Sequence, residues 1–282
     1  MVLSGLHILG VPEQTKREAD GVSTTSGGAM LESTARNDMY IYGSAFQNMA
    51  ATSSAHAASR IISFVQTLVP THSVIDVGCA RGTWLRQWQI HGVCDVTGVD
   101  GDYVDRSKLE LETWHFVVRD LAVRFNLERQ FDLAQSLEVA EHLPQARAVT
   151  FVGDLVTHAP VVLFSAASPG QGGENHLNEQ PGEYWRRLFL NHDYVAIDCL
   201  RPLLAREPNI PAWYRYNIML YVRRDHLERI APFARKFQLR DTDPVSDPSP
   251  LVYKLRKRVV RSLPQALCNR LAQWNARRYP AG

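Results

Sequence analysis

What this chain lacks narrows its function before any motif is considered. Its 282 residues include four cysteines, Cys79, Cys94, Cys199 and Cys268, none of them in a CxxC pair. That scatter argues against a disulfide framework or a thiolate zinc site and favours a reducing, cytoplasmic setting. No apolar run approaches the ~18–20 residues needed to cross a bilayer. No basic residue precedes Lys16, so the N-terminus does not read as a signal peptide. Lysine is absent between Lys108 and Lys236, which removes a lysine base from the central region. Acids are absent after Asp247, where Lys254, Arg256, Lys257, Arg258, Arg261, Arg270, Arg277 and Arg278 follow. The net charge of +2 therefore conceals an acidic body, with 23 basic residues against 29 acids, and a basic tail.

What is present reads as an ordinary globular protein, 45% hydrophobic and 21% charged. Residues 1–36 are rich in glycine, serine and threonine and are expected to form a flexible leader. The main domain is expected over 37–230, with a basic amphipathic extension over 231–282. The spacing predicts a helix over Ser53–Val69, ending at Pro70. The run Val74-Ile-Asp-Val-Gly-Cys-Ala-Arg-Gly-Thr-Trp84 then reads as a buried strand, a tight turn of small residues and the start of a helix. Small residues let the backbone approach a ligand, and helix-start N–H groups favour electron-rich atoms. Further strands are predicted at Cys94–Asp100, Trp114–Asp120, Phe131–Leu137, Val161–Ser165, Tyr194–Leu200 and Ile218–Val222. Helices are predicted over Pro144–His158 and Gln180–Asn191. This alternation indicates a mainly parallel α/β sheet that binds ligands beyond the carboxyl ends of its strands. The loop Arg201–Asn217 reads as a lid, and the tail as two short helices with cationic outer faces.

The turn runs Gly78-x-Ala80-x-Gly82, not GxGxxG, and no Lys-Ser/Thr follows it, which excludes a P-loop. The pattern VIDVGCARGTWL resembles motif I of class I S-adenosylmethionine-dependent methyltransferases. The resemblance implies a Rossmann-like class I methyltransferase fold, a mainly parallel seven-stranded sheet with helices on both faces, plus a C-terminal helical appendage. It also implies S-adenosylmethionine as cofactor. Asp100 then matches the ribose-binding acid, with Gly101 beside it, and Asp120-Leu121 the adenine-contacting position. Asp76, Gly78, Cys79, Ala80, Gly82, Trp84, Ser136 and Leu137 complete the expected cofactor set, although Trp84 and Trp88, four apart, also read as core. Ala80 departs from the glycine usual at the middle of the motif, and its methyl should tighten the backbone approach. The segment Phe131–Pro144 and the run Phe164–Gln180 followed by Tyr184-Trp185 resemble one bacterial branch of the family, found among sugar- and natural-product-modifying enzymes. The matches span roughly residues 40–224.

Catalytic candidates are Glu138, Glu141, His142 and His176. Positions i, i+3 and i+4 share a face of a helical turn, so Glu138, Glu141 and His142 can converge, with His176 arriving from the loop after strand five. Such an oxygen and nitrogen set suits Mg²⁺, Mn²⁺ or Fe²⁺. It resembles the metal centre of small-RNA 2′-O-methyltransferases and, in part, that of ubiquinone-pathway O-methyltransferases. Two other readings stand beside it: His142 or His176 as a general base without metal, or a positional role alone. Asn178, Gln180, Tyr184, Trp213 and Tyr214 are the candidate acceptor contacts. The expected reaction is O-methylation of a sugar, glycan or secondary-metabolite hydroxyl. The alternatives are RNA 2′-O-methylation, methylation of nitrogen or carbon, intramolecular cyclisation or cleavage of the cofactor, and a non-catalytic cofactor-binding protein. The basic tail fits a solvated face, peripheral contact with the inner membrane surface, or nucleic-acid contact.

Overall fold

The computed structural model describes residues 44–276, so the expected leader lies outside the described residues. Helix α1 (Ser44–Leu68) buries Ala57, Ala58, Ile61, Ile62, Val65 and Leu68, the helically spaced residues that predicted it. It begins nine residues before the predicted start. Strand β1 (Ser73–Val77) follows, then α2 (Thr83–Ile90), β2 (Asp95–Asp100), β3 (Phe116–Val118) and β4 (Leu133–Leu137). Next come α3 (Ala148–His158), β5 (Val161–Ser165), α4 (Gly182–Leu190) and β6 (Tyr194–Ile197). The chain continues through α5 (Leu200–Leu204), α6 (Ala212–Asn217), β7 (Met219–Arg223), α7 (Pro232–Arg235), α8 (Leu251–Arg261) and α9 (Gln265–Ala276).

The strands form one seven-stranded sheet in the order β3-β2-β1-β4-β5-β7-β6, with β7 antiparallel to both neighbours and the other pairings parallel. Side chains alternate between the two faces, as the pleat requires. Val74, Leu133, Val161, Leu163, Leu220 and Val222 join α1, α2, α5 and α6 on one side. Ile75, Val77, Ala134, Val162, Phe164 and Tyr221 meet α3 and α4 on the other. Because both faces are covered, the strands read as nearly continuous apolar runs. The strand order reverses between β1 and β4, the position at which open α/β sheets leave a ligand crevice.

Three expectations are revised here. The third strand is only Phe116–Val118; Trp114 and His115 lie in a 3₁₀ turn before it, and Trp114 is exposed. The segment 201–217 is not a loose lid, because α5 and α6 bury Leu204, Ile210 and Tyr214 in the core on the α1 side. The tail helix α8 is turned opposite to expectation. Leu251, Val252, Leu255 and Val259 are exposed, while Lys254, Lys257, Arg258 and Arg261 line a cavity. Helical spacing gives α8 two faces but does not say which one meets the protein. Among the described residues no helix is long and apolar enough to cross a membrane.

Candidate active site

The turn after β1 is built from backbone. Gly78 and Gly82 adopt φ +88 and +82, and a Cβ at either would collide with Val139 or Leu111. Ala80 sits between them at φ 48, a left-handed conformation that an L-residue adopts only at some strain. Its N–H donates to Asp100 Oδ2 (2.7 Å), and the N–H of Gly101 donates to Oδ1 (2.7 Å). The Tyr103 hydroxyl donates to the same Oδ1. Asp100 is thus a buried carboxylate at the end of β2, whose pKa burial raises while these bonds oppose the rise. Burial pushes Asp76 up to about 7. Burial, with the charges of Asp100 and Asp76, raises the Cys79 thiol well above its ordinary value, and its Sγ packs against Gly98.

The second constellation follows β4. Glu138 takes φ 57 and stands before the 3₁₀ turn Ala140–His142, not on it. Its carboxylate accepts from Gln171 Nε2 (2.6 Å) and Asn217 Nδ2 (3.4 Å). Glu141, His142 and His176 do converge, with one ligand atom from each lying within 4.8 Å of the others. The expected quartet is therefore a trio, with Glu138 drawn into an amide network at its edge. Glu141 is wholly buried and neither of its oxygens makes a well-formed hydrogen bond, although the N–H groups of Glu141 and Ala167 and the Glu138 carboxyl lie close enough to act on it. Burial, then the nearby Glu138, raises its pKa well above the carboxylate range.

Both imidazoles are oriented by other groups. His142 Nδ1 donates to the Asn175 carbonyl (3.2 Å), which places the lone pair on Nε2. His176 Nδ1 donates to Glu179 Oε1 (2.8 Å), and the two rings meet edge to face at 4.9 Å. Burial pushes His142 down to about 3, so that ring is neutral at pH 7. Glu179 also accepts from the N–H groups of Gly170 (2.7 Å) and Gly172 (2.8 Å). Burial works to raise Glu179, but the His176 and backbone bonds together hold it below the usual range. Gly173 completes the arrangement, since a Cβ there would lie 2.0 Å from His176 Nε2. The cluster adjoins the glycine turn after β1, because Val139 is the side chain that fills the space above Gly78.

Other candidate residues lie elsewhere. Trp84 is buried and its Nε1 donates to Tyr214 Oη (3.4 Å), while Tyr214 Oη also bonds Ser54 (3.0 Å), so both belong to the α1-side core. Trp213 packs on the same core. Ser136 Oγ donates to the Val77 carbonyl (2.8 Å), tying β4 to β1, and Leu137 is half-buried against the α1-side core. Asp120 is exposed and caps its own turn through Ala122 N, with Leu121 buried beside it. Asn178 is buried and receives Gln180 Nε2 (3.0 Å), and its own N–H donates to the Glu141 carbonyl (2.9 Å). Both residues thus serve the loop. Tyr184 stands half-buried and edge-on to Trp185. Sequence reasoning did not identify Glu179 as the group that orients His176, nor the spacing function of Gly173. The His176-x-x-Glu179 interval was the available signal.

Comparison with known proteins agrees with this fold. The profile of a methyltransferase domain family matches residues 49–196, more than half of the chain. No curated protein matches by sequence. Among solved structures, a sugar N-methyltransferase from Streptoalloteichus shares the fold at a TM-score of 0.50 and 16% identity, over 74% of this chain and 100% of its own. An O-methyltransferase family protein from Burkholderia thailandensis gives 0.48 and 13%, over 63% of this chain and 58% of its own. Magnesium protoporphyrin IX methyltransferase from Synechocystis, solved with bound S-adenosylmethionine, gives 0.42 and 14%, over 61% and 80%. The family match and the seven-stranded sheet, with its acid-terminated β2 and glycine turn, place the chain in the methyltransferase domain family, as a class I S-adenosylmethionine-dependent methyltransferase.

Proposed function

We propose that this enzyme O-methylates a hydroxyl of a sugar, glycan or secondary metabolite, and that Glu141, His142 and His176 hold a divalent cation beside the cofactor. Mg²⁺, Mn²⁺ and Fe²⁺ fit one carboxylate and two imidazoles. The observation that supports this reading is the Glu141 carboxyl, fully buried without a well-formed hydrogen bond and converging within 4.8 Å on two imidazoles whose Nδ1 atoms are already engaged. Ionising a buried carboxyl without compensation costs several kcal/mol on general grounds, and a bound cation would offset that cost. A carboxylate or carbonyl on the far side of each imidazole is the usual arrangement around ligating histidines. When bound, such an ion supplies Lewis acidity, lowering the pKa of an acceptor hydroxyl.

The chain's own residues have separable tasks. Asp100 accepts hydrogen bonds from the cofactor ribose, and the Gly78–Gly82 turn admits the cofactor against backbone. Glu138, held by Gln171 and Asn217, borders the trio and limits where an acceptor can lie. The remaining task is alignment of the acceptor oxygen with the sulfonium methyl, which is a matter of positioning. Elemental analysis of the purified enzyme, with turnover assayed in chelator, tests the reading. One divalent ion per chain and loss of turnover on chelation are expected. Full turnover without a metal would return the chemistry to a histidine base or to positioning alone.

A further inference from the structure

Helix α8 carries Lys254, Lys257, Arg258 and Arg261 at i, i+3, i+4 and i+7, which is one helical face, and that face lines a cavity of about 310 Å³. The opposite face exposes Leu251, Val252, Leu255 and Val259. Unaided hydrophobic packing would choose the reverse orientation. Contacts with the loop at Gly170 hold the helix this way, together with Lys257 bonds to Asp247 and Ser168. Gly170 lets its backbone approach, since a Cβ there would lie 2.1 Å from the Lys257 carbonyl oxygen, and Arg256 donates to the Gln171 carbonyl (3.0 Å).

The cations in this cavity are unequally satisfied. Arg201 is saturated by Asp198 and by the Tyr216 and Ser246 carbonyls. Lys257 is paired with Asp247 (2.5 Å). Lys254, half-buried, and Arg258 and Arg261 at the rim pair with no carboxylate among the described residues. Asp247 is the one acid lining the cavity, so three positive charges remain uncompensated. Trp185, Tyr216 and Tyr221 provide aromatic wall. Asn217 belongs both to this wall and to the Glu138–Gln171 network beside Glu141.

We propose that this cavity binds the phosphoryl group of a phosphorylated acceptor and so sets which acceptor reaches the methyl-transfer site. The inference rests on the reading that the adjacent site methylates an acceptor, and it adds that acceptor's chemical class. Guanidinium forks with a lysine beside them match the geometry and charge of phosphoryl oxygens, and a cavity of this size accommodates a small organic phosphate.

Calorimetric titration of the full-length enzyme with inorganic pyrophosphate, in excess chelator so that no metal can bridge the probe, tests this independently of the cation at Glu141. Saturable binding is expected, weakened about tenfold or more in a Lys254→Gln/Arg258→Gln/Arg261→Gln variant that still binds S-adenosylmethionine within about twofold of wild type. Arg258→Gln alone, at an exposed position, should weaken it by about threefold and serves if the triple variant does not fold. No binding to the wild type, unaltered binding in both variants, or equal binding of citrate would overturn the assignment. Absence of a metal from the purified enzyme would instead defeat the proposed cation centre and leave this result standing.

Discussion

The proposed cofactor turn takes Asp76, Gly78, Ala80 and Gly82 from seven consecutive residues, whereas the proposed acceptor side gathers Glu141, His142, His176, Asn217 and Lys254 across more than a hundred. The first is made of backbone: two glycines at positive φ, amide hydrogens and one acid contributed by the neighbouring strand. The second is made of side chains oriented by other side chains, with glycines setting how closely loop and helix approach. A backbone site is written into a short run and survives many changes around it. A side-chain site depends on packing that no short run specifies.

The largest expected effect is a double dissociation that tests whether the halves are separable. His176→Ala should weaken divalent-cation binding by about a hundredfold or more while leaving S-adenosylmethionine affinity within about twofold. Asp100→Ala should do the converse, weakening the cofactor by about a hundredfold as its ribose hydroxyls lose a charged acceptor. Titration calorimetry on both variants checks this, and a loss of both affinities in either one would merge the regions into a single unit.

A smaller effect sharpens the comparison from outside the ligand trio. Glu179→Gln keeps the shape of the group behind His176 but removes its charge, and should reduce cation affinity by about ten- to a hundredfold. Gly173→Ala acts sterically, because the new Cβ would occupy the space of the His176 ring. About tenfold weaker cation binding is expected with melting temperature little changed, since Gly173 does not require a left-handed backbone. A crystal structure showing an unmoved His176 ring would remove that explanation.

The smallest effect concerns the scaffold alone. Arg186 holds the Glu183 carboxyl down to about 2, against an ordinary 4.5, and the pair joins the start of α4 to the segment before α8, Arg186 donating to the Asp241 carbonyl and Glu183 accepting from the Val245 N–H. A depressed folded-state pKa contributes stability that is fully present above the unfolded value and is lost as pH falls through the folded one. Glu183→Gln should therefore lower the melting temperature slightly at pH 7, by less as pH falls, and make no difference only below about pH 2. An equal deficit at both pH values would assign the effect to packing.

The sheet, the acid that ends β2 and the turn were legible because alternation, apolar runs and small-residue spacing are local signals, whereas Asp120 falls beyond the end of β3. The convergence of Glu141 and His142 was legible in outline through their adjacency, and His176 through the loop that carries it. Glu138 was misjudged because its left-handed backbone takes it off the helical turn on which i, i+3 spacing relies. Trp213 and Tyr214 read as lid aromatics because prolines obscured two short helices, α5 and α6, whose partner is α1, far away in sequence. The facing of α8 could not be read from its pattern: its orientation depends on Gly170, more than eighty residues earlier.

The central claim is that Glu141, His142 and His176 form a cation centre beside the cofactor turn. Electron paramagnetic resonance of the metal-free enzyme titrated with Mn²⁺ tests it most directly. The account predicts one bound Mn²⁺ per chain, abolished in His142→Ala and His176→Ala and retained in Asp100→Ala. No bound Mn²⁺, or a site unaffected by both histidine substitutions, would contradict it.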